Sequence, residues 1–99
     1  AKVAVDDTQT ATVSVKVRES VVGDGTDYNG NRIELCLKRN DGLGITEDMV
    51  LDTATASSEG AFETLEGTSP VVTDNGVLEF YIRCDGTTGW INIEDVVVS

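Results

Sequence analysis

Eighteen carboxylates, two cysteines and no histidine set the limits of what this 99-residue chain could do chemically. Without histidine, a Ser-His-Asp or Cys-His nucleophile and the usual zinc sites have no base or ligand to build on. Paired carboxylates could cleave a glycosidic bond, but that chemistry needs one acid in a low-dielectric pocket beside an ionised partner. Here the acids fall mostly in loops or at polar strand positions. The Gly-rich loop from Gly23 to Gly30 is not followed by a helical pattern, so it is no phosphate cradle. The inventory points to a protein that is not an enzyme.

A hard cation is the one cofactor the residues could hold. Asp24, Asp27 and Asn29 offer oxygen ligands, but the spacing is not that of an EF-hand and turn chemistry explains them equally well. Asp95 falls on the apolar phase of its segment, where a carboxylate must be paired, coordinated, or turned outward by a bulge that also returns Val96 and Val98 to the core. The expectation is no cofactor, or a structural Ca²⁺ held by Asp95 with Asp6 or Asp7. Cys36 alternates with Ile33, Leu35 and Leu37, whereas Cys84 is in phase with Phe80 and Ile82. Side chains on opposite faces do not converge, so both thiols are expected to be free.

The elements that position these groups are strands. Val77 to Cys84 and Trp90 to Val98 alternate with period two across the turn residues Asp85 to Gly89. They read as an antiparallel hairpin with Cys84 opposite Ile91 and Ile82 opposite Ile93. That register gathers Glu79, Tyr81, Arg83, Trp90, Asn92 and Glu94 on the other face. Such a platform, with Tyr28 as a further aromatic in a loop, suits a subunit contact, edge cover or a sugar ring. Further strands are expected at Lys2 to Val5, Thr10 to Arg18, Arg32 to Arg39, Asp48 to Ala56 and Ala61 to Glu66, separated by Gly-, Asn- and Asp-rich loops. The fold class is all-β: one antiparallel sandwich domain over residues 1–99, of about seven to eight strands.

Charge narrows the partners. Six basic residues balance six acids up to residue 39, and twelve acids against Arg83 then give the net charge of −11. This field repels phosphate backbones and anionic lipid, so nucleic acid and membrane surfaces are poor partners and basic protein surfaces better ones. No apolar run approaches a membrane span.

The order of motifs resembles a known group. Thr12 to Ser20, then Gly60 to Thr68, Val77 to Ile82 and Gly89 to Val96 are similar to the jelly-roll sandwich of carbohydrate-binding modules and galactose-binding-like domains. With Val22 to Asn31 and Val50 to Ala56, the chain resembles still more closely small jelly-roll proteins of tailed-phage virions. The resemblance implies a non-catalytic virion protein: a capsid decoration or cement protein, or a tail or neck fibre subunit. Its partners would be other virion proteins or copies of itself, and its location the virion. The alternative is a secreted or extracellular carbohydrate-binding module using Trp90, Tyr81 and Tyr28. In that family the acid of the closing strand, here Asp95, is commonly a Ca²⁺ ligand.

Overall fold

Period-two apolar alternation buries one side of each strand, and two such sheets stacked face to face share one core. The computed structural model, which describes residues 1–99, has this form. Its seven strands are β1 (Lys2–Val5), β2 (Thr12–Glu19), β3 (Glu34–Leu37), β4 (Met49–Thr53), β5 (Glu63–Thr68), β6 (Gly76–Arg83) and β7 (Ile91–Val98). Each overlaps a segment where the sequence predicts a strand. One sheet has the order β1-β6-β3-β4 and the other β5-β2-β7, with every strand pair antiparallel. This is an antiparallel β-sandwich of seven strands, four in one sheet and three in the other.

The core is built by the predicted phase. Ala11, Val13, Val15, Val17 and Leu65 meet Leu35, Leu37, Leu78 and Phe80 from the facing sheet, all of them buried. Ile33, Leu43, Ile45 and Val72 close the ends from the loops.

The expected hairpin does not form. β6 pairs with β1 and β3, β7 pairs with β2, and residues 84–90 cross from one sheet to the other. Ile82 lies opposite Leu35 rather than Ile93, and Ile93 lies opposite Val17. Burying the same phase satisfies the alternation equally well whether two strands are neighbours in one sheet or face each other across the core. The partner is decided instead by the crossing loop. Trp90 and Ser20 extend the β2–β7 ladder, as the Ser20 N–H donates to the Trp90 carbonyl at 3.0 Å and the Trp90 N–H to Ser20 Oγ at 2.9 Å.

The bulge expected at Asp95 is present. Lys16 pairs with Glu94 but Ser14 with Val97, so Asp95 and Val96 together face Val15. Asp95 has φ +53°, in the left-handed region. Its carboxylate points outward to Lys16 Nζ at 3.1 Å. Val96 and Val98 return to the inward phase.

Candidate functional site

Three regions carry the chemistry that the sequence singles out. The first is the loop end formed by residues 20–31 and 84–90. The Tyr28 hydroxyl accepts hydrogen bonds from the Asp85 and Gly86 amides at 3.2 and 3.1 Å, and Asn29 Oδ1 accepts from Thr87 and Thr88 at 2.8 and 3.0 Å. Asn31 donates its backbone and side-chain N–H groups to Asp85 at 2.6 and 2.7 Å. Tyr28 therefore fastens two loops together, with its ring lying against Gly30 and Gly86, where no larger residue fits. Asp24 is occupied too. It accepts from the Val21 N–H and from Arg18, and these bonds hold its carboxyl below the usual carboxylate range. The turn-forming reading of that loop is the one the geometry supports.

Beneath this end lies a feature the sequence reading missed. Glu19 is buried and accepts from Arg32 Nη1 and Ser58 Oγ, both at 2.9 Å, while Arg32 also pairs with Glu59 at 2.8 Å. Glu19, Arg32, Glu59 and Tyr28 line a polar cavity of about 260 Å³. The signal was available, since Glu19 continues the inward phase of Val13, Val15 and Val17.

The second region is the outer face of the four-stranded sheet, which carries half of the expected platform. Tyr81 donates to Asp48 Oδ2 at 2.7 Å, and Arg83 Nε donates to Glu34 at 2.8 Å. The bond to Asp48 raises the Tyr81 phenol to about 12 and lowers the Asp48 carboxyl. Cys36, opposite Tyr81, is buried and burial pushes its thiol up. Both thiols are free, but Cys84 lies beyond the end of β6 and is exposed, not on the core face.

Asn92 and Glu94 belong to the other half of the platform and lie on the outer face of the opposite sheet. They pair with Arg18 and Lys16 of β2, while Tyr81 and Arg83 pair with β3. The single surface expected from the hairpin is thus two surfaces on opposite sides of the sandwich. Trp90 is on neither; it is 43% exposed where the crossing loop enters β7. Asp95 is not gathered with Asp6 and Asp7. The backbones of those two bond to Gln9 and Asn75 in the turn after β1, and nowhere do three or more acidic or thiol side chains converge to hold a metal ion. The residues present do not fit the Ca²⁺ site that the resemblance implies.

The third region is the β7 edge. β7 has a neighbour on one side only, β2. Its inward-phase residues should be as buried as those of β2, yet Ile93, Val96 and Val98 are 50%, 53% and 45% exposed. Val13, Val15 and Val17 opposite them are no more than 3% exposed. Between β7 and β1 the sandwich is open: an apolar cavity of about 170 Å³ reaches Val15, Leu35 and Phe80 beneath Ile93 and Val96. A second cavity, of about 530 Å³ and mixed lining, lies among Val3, Val5, Ala11 and Val98 with Thr8, Gln9 and Thr10. The run Val96-Val97-Val98 was the sequence signal, since apolar residues on both faces of a strand end imply cover on both.

Comparison with protein-family models, curated proteins and solved structures finds no match to this chain.

Proposed function

We propose that the protein is a non-catalytic assembly subunit that works through protein–protein contacts along the β7 edge. The observation that carries this reading is the exposure of Ile93, Val96 and Val98 although they point toward the core. A contiguous apolar surface of this kind marks a contact site more often than chance. Trp90 adjoins it where the chain enters the strand, and exposed tryptophan is a residue type enriched among contact anchors. The setting implied by the motif order is a tailed-phage virion, with the chain as a decoration, cement or fibre subunit.

Sedimentation of the native protein with the large particles of its source tests this. Val96→Asp should remove the protein from the particle fraction, and Trp90→Ala should weaken attachment by about 2 kcal/mol or more. An unaltered chain that joins no particle but binds an oligosaccharide through Trp90 or Tyr28 would replace the assembly role with glycan recognition.

A further inference from the structure

The two sheets differ by one strand, and the shortfall lies beside β7. With β5 over the β3–β4 side, the order β5-β2-β7 ends before it reaches β1, and of the inward residues of β1 Val3 is only partly buried while Val5 joins the core. The open strip is the place of one strand in a sheet whose strands lie about 4.8 Å apart. The apolar cavity beneath Ile93 and Val96 and the mixed one beside Val98 are its floor.

Backbone groups point into the same strip. Thr12 and Ser99 exchange both hydrogen bonds at 2.9 Å at one end of the β2–β7 ladder, and the Ser20 N–H bonds the Trp90 carbonyl at the other. The alternation of an antiparallel ladder then turns the N–H and C=O of Ile91, Ile93 and Val98 away from β2, toward the free edge. These are the same residues whose side chains face the groove. An extended chain laid there would take up backbone bonds and side-chain cover together.

Charge selects among occupants. The outward residues beside the edge include Glu94 and Asp95, and the chain carries a net charge of −11. A second copy pairing β7 with β7 antiparallel about its middle would set Glu94 and Asp95 of both copies within two rungs of each other, which is unfavourable. A strand with basic residues on its outward phase is drawn to the same place.

Resting on the assembly reading, we propose that β7 accepts an extended segment of a partner protein as an eighth strand. The segment runs antiparallel to β7 and spans about eight residues, the length of β7. Alternate valine-sized side chains fill the groove, and lysine or arginine faces Glu94.

The probe is a capped peptide of about eight residues alternating valine and lysine, added to the 99-residue chain. Amide hydrogen exchange at Ile93 and Val98 should slow by about tenfold or more on binding, with little change at amides already bonded to β2. The same peptide N-methylated on its β7-facing amides keeps every side chain and should not bind. Equal binding of the N-methylated peptide overturns strand addition and leaves the assembly reading standing. Binding of neither peptide also overturns strand addition, and the sedimentation of Val96→Asp then decides the assembly reading separately. Exchange already slow at Ile93 and Val98 in the free chain, with a concentration-dependent doubling of mass, would assign the edge to a second copy and overturn the basic-segment proposal.

Discussion

The two long edges of the sandwich are built from similar strands and end differently. On the β4–β5 side the sheets are fastened to each other. Asp52 accepts from the Glu66 N–H at 2.9 Å, and Glu63 accepts from the N–H and hydroxyl of Thr55 at 2.7 and 2.8 Å. Leu51 folds over the buried Gly67, so β4 caps the end of the facing sheet. On the β7–β1 side no side-chain hydrogen bond or ion pair joins the sheets, and the valines of β7 stand half exposed. The same alternation thus yields a finished border where carboxylates cover the free amides and an unfinished one where nothing does. Edge protection is set by a few polar side chains, not by the strand pattern.

Truncation should separate the two borders most strongly. Leu65→Ala on β5 empties a fully buried site and should cost about 2–5 kcal/mol in urea unfolding. Val96→Ala on β7, at a site already open, should cost less than about 1 kcal/mol in the isolated chain. Equal losses would mean that the β7 edge is as closed as its counterpart. Smaller is the effect of adding volume at the closed border. A Cβ on Gly67 would lie 2.5 Å from Leu51 Cβ, so Gly67→Ala should destabilise by about 1–3 kcal/mol, read as a lowered midpoint of thermal unfolding. The smallest effect sharpens the contrast without changing the core. Amide exchange at Glu66 should be slower than at Ile93, and Asp52→Ala should bring the two rates together. Exchange at Glu66 that is indifferent to Asp52 would remove the carboxylate from the account.

Nearly all of the strand content was legible, because alternation at Ala11 to Val17 and Ile33 to Leu37 marks a buried face without reference to any partner. Pairing was not legible. Ile82 and Ile93 both point inward as expected, but from different sheets, since periodicity carries phase and no neighbour identity. The polar platform failed with the pairing, as Tyr81 and Arg83 were joined to Asn92 and Glu94 only through the hairpin. Glu19 and its bond to Arg32 escaped because β2 runs one residue beyond the predicted end, which brings a carboxylate into the inward phase. The outward turn of Asp95 was readable from the valines that follow it, which would otherwise leave the core.

That extra residue also decides how the strand responds to changes of length. Asp95 belongs to neither side of the parity count: Lys16 faces Glu94 and Ser14 faces Val97, so Val15 alone takes up the surplus. Loss of Asp95 would leave Glu94 and Val96 adjacent and in step with Lys16 and Val15, with every later side chain on its present face. Gain of a residue elsewhere in β7 would invert everything beyond it. A regular strand without a bulge tolerates neither, so here the chain can shorten by one where it cannot lengthen by one.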